Sequence, residues 1–125
     1  MKFDWIKSIP DYQGYFNDDH QRIINLIGID EYLKLQEHYG KTGIYFGKTV
    51  SNDRDTIIEI IGEENYEKLY QSFGNTSIFF GSRSITLLKK AWAVNNRSTD
   101  YNEAARMLDV SVKTIYNWRN EAITI

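Results

Sequence analysis

IINLIGIDEYLKLQEHYGKTGIYFG, residues Ile23–Gly47, returns as IIEIIGEENYEKLYQSFGNTSIFFG, residues Ile57–Gly81, at an offset of 34 with no gap. Twelve of the 25 positions are identical, including Gly28/Gly62, Tyr32/Tyr66, Gly40/Gly74, Ile44/Ile78 and Phe46/Phe80. Matching at this level over a fixed period marks a duplication. Tetratricopeptide arrays share the period, but they lack a strand and these glycines. Each copy reads helix, helix, strand. In the first, Asn17 or Asp18 caps a helix that runs to Ile27, and Gly28 ends it in a left-handed conformation. Asp30 then caps a second helix, Gly40 ends it, and Thr42–Phe46 is a short β-rich run. The second copy repeats the plan, with a cap at Asn52 or Asp53, glycines at 62 and 74, and a strand over Thr76–Phe80.

One short strand per copy is unstable alone, because its backbone donors and acceptors need a partner. The strand residues Ile44, Tyr45, Phe46, Ile78, Phe79 and Phe80 therefore pair within the chain or across a two-fold axis between two chains. Outside the copies lie two flanks. Residues 1–16 carry Phe3, Trp5, Ile6, Ile9, Tyr12, Tyr15 and Phe16 around Pro10, enough apolar surface to cap a core or cover a partner. Trp5, Ile6 and Ile9 suit a short helical turn that Pro10 closes.

The C-terminal flank holds YNEAARMLDVSVKTIYNWR, residues Tyr101–Arg119. Tyr101, Ala104, Ala105 and Leu108 share one helical face, Asp109–Ser111 breaks the pattern, and Ser111 caps a new helix. Ile115 and Trp118 give that helix a buried seam, while the small Ala104 and Ala105 permit a close helix crossing. With a preceding helix over residues 84–95, helices at 101–108 and 112–120 complete a three-helix module of the helix-turn-helix type. The expected fold is mainly α with short β-strands. A body spans residues 1–81, with copies at 17–50 and 51–84, and the helix-turn-helix module occupies 82–125.

Charge is distributed unevenly. Residues 1–81 hold 8 Lys and Arg against 13 Asp and Glu, a net of −5, whereas residues 82–125 hold 7 against 4, a net of +3. A basic end behind an acidic body fits nucleic-acid binding. The chain has no cysteine, which removes disulfides, thiolate zinc sites and cysteine nucleophiles. No apolar run approaches the roughly 18 residues of a membrane span and no basic leader opens the chain, so a soluble, cytoplasmic protein is expected.

Within the module, the outward face of the second helix carries Lys113, Thr114, Tyr116, Asn117 and Asn120, with Ser111 at its start. These are expected to meet bases: Asn pairs in two places with adenine, Lys reaches guanine, and the Thr methyl touches thymine. Lys89, Lys90, Arg97, Arg106 and Arg119 are assigned to phosphates, which orient a protein without reading sequence. His20 and His38 stand 18 residues apart on polar positions and are expected at the surface, with no metal site. The acidic pairs Asp18–Asp19, Asp53–Asp55 and Glu63–Glu64 fall at helix starts, where they complement the helix dipole. No GxSxG, P-loop or GxGxxG occurs, so neither an enzyme nor a cofactor is expected.

The glycine-ended helix, the short strand Thr76–Phe80, the following helix and Ala104-Ala105-Arg106-Met107-Leu108…Thr114-Ile115-Tyr116 together resemble the Mor family. These are middle-operon transcription activators of bacteriophages and prophages. The resemblance covers residues 57–120 best, and the preceding copy looks like a second dimerisation segment. It implies a homodimeric activator in a bacterial host, bound to double-stranded DNA and touching RNA polymerase, with strands paired across the dimer axis. Carried over by position, Lys113, Thr114 and Asn117 touch bases, while Gly74 and Ile78–Phe80 shape the central ribbon. Asp109 stands where such turns commonly hold glycine, a position aspartate tolerates. Two other readings rest on the residues alone. One is an interaction protein that binds a host protein through its acidic, aromatic body. The other is a packaging or replication accessory that binds DNA structurally.

Overall fold

The computed structural model describes residues 2–46 and 52–123. The fold is mainly α-helical with one two-stranded antiparallel sheet, and the chain forms two compact units. The first contains Met1–Phe3 and Phe16–Ser82, the second Asp4–Tyr15 and Arg83–Ile125. Among the described residues, no helix is long and apolar enough to cross a membrane.

The first unit runs α1 (Asp18–Ile27), α2 (Ile29–Tyr39), β1 (Thr42–Tyr45), α3 (Asn52–Ile61), α4 (Glu63–Phe73) and β2 (Ser77–Phe80). Asn17 caps α1, its side-chain oxygen accepting from the His20 amide at 2.9 Å. Gly28 ends α1 and also starts α2: its N–H bonds Ile24 O and its carbonyl accepts from Tyr32 N–H. That double role requires φ +89°, and Gly62 repeats it at +90° between α3 and α4. Only glycine adopts such a backbone without steric cost. With a single residue between the helices, Asp30 lies in the first turn of α2 rather than at its cap. Asn52 and Asp53, expected to cap α3, lie inside it.

Gly40 and Gly74 end the second helices for a different reason from that at Gly28 and Gly62. Their φ values are −50° and −52°; the left-handed residues are the next ones, Lys41 at +72° and Asn75 at +64°. What demands glycine is proximity, since an added Cβ would lie 2.9 Å from Gln36 O in one copy and 2.8 Å from Tyr70 O in the other.

The two strands pair with each other inside the chain, in the register Thr42↔Phe80, Gly43↔Phe79, Ile44↔Ile78, Tyr45↔Ser77. Ile44 and Ile78 are equivalent residues of the two copies, so the local two-fold axis of the duplication passes through their pair. The flanks obey the same symmetry: Lys41 N–H bonds Phe80 O, and Asn75 N–H bonds Phe46 O. At each end two residues oppose one, a β-bulge opened by the left-handed residue. Helices cross between copies as well, α1 packing on α4 and α2 on α3. Tyr32, Leu33, Leu35, Ile44, Phe46, Ile57, Tyr66, Leu69 and Phe80 are wholly buried.

The second unit contains α5 (Arg83–Asn95), α6 (Tyr101–Leu108) and α7 (Val112–Ile123), preceded by 3-10 turns at Asp4–Ser8 and Tyr12–Tyr15. One buried cluster in it is Ala93, Ala104, Ala105, Leu108 and Ile115, with Trp5, Trp92, Val110 and Trp118 packed around it. The lead-in therefore belongs with the helix-turn-helix helices, not with a body over residues 1–81. The reason is volume. Three of the five buried residues of this cluster are alanines, and Trp5 helps cover what they leave open.

Candidate nucleic-acid interface

The interface is built on the α6–turn–α7 element. Asp109 adopts the left-handed conformation at φ 56°, ψ 53°. Val110 N–H reaches back to Ala105 O at 3.0 Å and Asp109 N–H to Arg106 O at 3.4 Å. This is the Schellman closure of α6, with Val110 folding onto the alanine core as its apolar contact. One residue later Ser111 opens α7, its Oγ accepting from Thr114 N–H at 3.1 Å and lying 2.8 Å from the Thr114 hydroxyl. Closing one helix and capping the next within three residues fixes the angle between α6 and α7. The buried Ala104 and Ala105 remove the side chains that would hold the helices apart.

Ile115 is fully buried and fixes which face of α7 looks inward. Lys113, Tyr116 and Asn117 are exposed on the opposite side, Tyr116 at 53 %, and Asn120 is half-buried one turn further on. Spacings of three and four residues place these four in one patch. Thr114 is half-buried beside it, its hydroxyl engaged by Ser111. Tyr101, at the start of α6, brings its ring centroid 6.3 Å from that of Tyr116 and extends the patch.

The residues assigned to phosphates divide. Arg97 and Arg106 are exposed and Lys89 is half-buried. Lys90 is half-buried and ion-paired with Glu121 at 2.8 Å, which spends part of the local positive charge. Arg119 does not suit its assignment. It is only 5 % exposed, and its guanidinium donates to three carbonyls: Nε to Ala93 O at 2.9 Å, Nη1 to Thr99 O at 3.0 Å and Nη2 to Asn96 O at 2.9 Å. It ties α7 to the C-terminal end of α5, where helix carbonyls have no partner of their own and the dipole favours a cation. Its position four residues after Ile115 puts it on the inward face, a signal legible in the sequence. Trp118 is half-buried rather than part of a closed seam.

In the first unit, the strand residues separate by face. Ile44, Phe46, Ile78 and Phe80 are buried, while Tyr45 and Phe79 are 48 % and 64 % exposed. β1 and β2 pair with each other within one chain, where the resemblance implies strands paired between chains. His20 also departs from expectation. It is buried, with Nδ1 2.6 Å from Tyr32 Oη and Nε2 2.9 Å from Phe79 O, whereas His38 is exposed. Burial pulls the His20 pKa down, opposed by the Phe79 carbonyl and the Asp19 charge. No signal in the sequence separated the two histidines.

No family model, curated protein or solved structure matches this chain.

Proposed function

We propose that the protein is a sequence-specific DNA-binding transcription regulator that reads the major groove with α7. The observation that carries this is the single patch of Lys113, Tyr116, Asn117 and Asn120, presented on a helix whose angle to α6 is fixed by the Asp109 closure and the Ser111 cap. Arg97 and Arg106 would anchor phosphates, and Lys113 and Asn117 would carry base discrimination. The Mor-like pattern of residues 57–120 supports an activator of phage or prophage type, with RNA polymerase as its second partner. One chain delivers one reading helix, so two copies on half-sites about one helical turn apart would supply the length and affinity of an operator.

Selection of bound duplexes from random DNA, followed by gel shift with Lys113→Ala/Asn117→Ala, tests the reading. The expected result is an enriched motif and loss of specific binding with an unchanged circular dichroism spectrum. Failure to enrich any sequence would overturn it, and so would undiminished binding by the double variant. A second reading is favoured by Tyr45 and Phe79, two large exposed side chains on the solvent face of the sheet of an acidic body. It makes that face a protein-docking surface, and Tyr45→Ala/Phe79→Ala would abolish partner binding while leaving DNA binding intact.

A further inference from the structure

His20 belongs to a hydrogen-bonded chain that begins on β2 at Phe79 and ends at Gly81, the residue that follows β2. Its Nε2 bonds Phe79 O at 2.9 Å, and its Nδ1 lies 2.6 Å from Tyr32 Oη. Tyr32 Oη is in turn 3.1 Å from Gln36 Oε1, and Gln36 Nε2 donates to Gly81 O at 3.1 Å. The proton count decides what this chain can do. Phe79 O only accepts, so Nε2 carries a hydrogen; Gly81 O only accepts, so the Gln36 amide is oriented with its oxygen towards Tyr32. Tyr32 has one hydroxyl proton. With a neutral imidazole that proton goes to the bare Nδ1, and Gln36 Oε1 loses its donor. With an imidazolium, Nδ1–H donates to Tyr32 Oη, the hydroxyl proton turns to Gln36 Oε1, and each of the four contacts has one donor and one acceptor.

The duplication supplies an internal comparison. Thirty-four residues after His20 stands Arg54, its guanidinium 5.5 Å over the ring of Tyr66, the counterpart of Tyr32. Asp53 is likewise the counterpart of Asp19. The second copy therefore places a permanent cation where the first places a titratable group.

We propose that His20 is a proton-operated switch: uptake of one proton completes the chain, turns the Tyr32 hydroxyl from His20 to Gln36, and gives the first copy the charge that Arg54 holds permanently in the second. Asp19 on α1 is the charge acting on His20, and α2 offers the Tyr32 hydroxyl, which burial keeps protonated. From β2 come the Phe79 carbonyl and the Phe80 ring, 5.0 Å away. α4 meets α1 at Ser72 and Phe73, both uncharged and both engaged by Arg22.

The test uses the full chain carrying His38→Asn, so that His20 is the sole histidine, and follows its imidazole nitrogens by NMR from pH 8 downward. The expected result is a neutral form with hydrogen on Nε2, converting to a doubly protonated ring while the backbone amide spectrum stays dispersed. Tyr32→Phe, which keeps the ring and removes the Nδ1 acceptor, should lower the titration midpoint by about one pH unit. Gln36→Met, which removes the acceptor of the relayed proton, should lower it in the same direction. The proposal is overturned by a neutral ring protonated on Nδ1, by protonation only together with loss of amide dispersion, or by a midpoint that neither variant moves.

Discussion

Replacing Arg119 with methionine keeps most of the aliphatic stem and removes a guanidinium that donates to three carbonyls across the second unit. Each bond from a charged donor is worth about 1.5–3 kcal/mol, but relief of guanidinium desolvation offsets several kcal/mol of that total. The carbonyls then differ. Ala93 O is buried and would pay the full penalty of an unmade bond, about 1–3 kcal/mol, whereas Asn96 O and Thr99 O are only partly buried and can recruit water. The stacked position of the guanidinium over Tyr101, 5.1 Å from its ring centroid, adds about 0.5–1 kcal/mol. The expected net loss is about 2–4 kcal/mol of unfolding free energy. A urea titration followed by tryptophan fluorescence measures it cleanly, because Trp5, Trp92 and Trp118 all lie in the second unit. Arg119→Lys should recover only part of the loss, since one ammonium cannot span three carbonyls in this arrangement. A change within about 0.5 kcal/mol for Arg119→Met would refute the structural role and return Arg119 to the surface.

The remaining expectations follow from the same geometry. Since burial lowers the folded-state pKa of His20 below the ordinary 6.5, the unfolded chain binds the extra proton first. Stability from this group is therefore full above about pH 6.5 and falls at lower pH by up to about 1.4 kcal/mol per unit, until the folded-state pKa is reached. Urea titrations of the parent and His20→Gln at pH 7.5, 6.5 and 5.5 should diverge accordingly, and parallel curves would contradict it. Gly28→Ala and Gly62→Ala should each cost about 1–3 kcal/mol because both positions need a φ near +90°. The two losses should agree within about 1 kcal/mol by circular dichroism melts, given equal geometry in the two copies. Ser111→Ala should cost about 1 kcal/mol through the lost cap of α7 and leave the fold intact. An unchanged melting temperature would show that water replaces the hydroxyl at no cost.

The helix-helix-strand order, the role of Ser111 as a cap and the three helices after residue 82 were legible because each rests on local chemistry. Periodic apolar positions, a hydroxyl before a helix, and glycine at a helix end act over a few residues. Where the reading failed, contacts distant in sequence decided the outcome. His20 sits at a polar position of an amphipathic helix, and only the return of β2, 59 residues later, gives it a carbonyl to bond. Arg119 has the charge of a phosphate ligand, although its spacing from Ile115 places it inside. The sequence left the partner of β1 open, because a strand cannot tell its own chain's copy from a neighbour's. The apolar residues of the lead-in declare that they will be buried without declaring where.

The pairing of β1 with β2 inside one chain has a consequence for mass action. A ribbon shared by two molecules would come apart on dilution, and the melting temperature of its body would follow protein concentration. Here the two strands are held at a fixed effective concentration within one chain, so their pairing does not depend on protein concentration. Dilution therefore leaves this strand pairing intact.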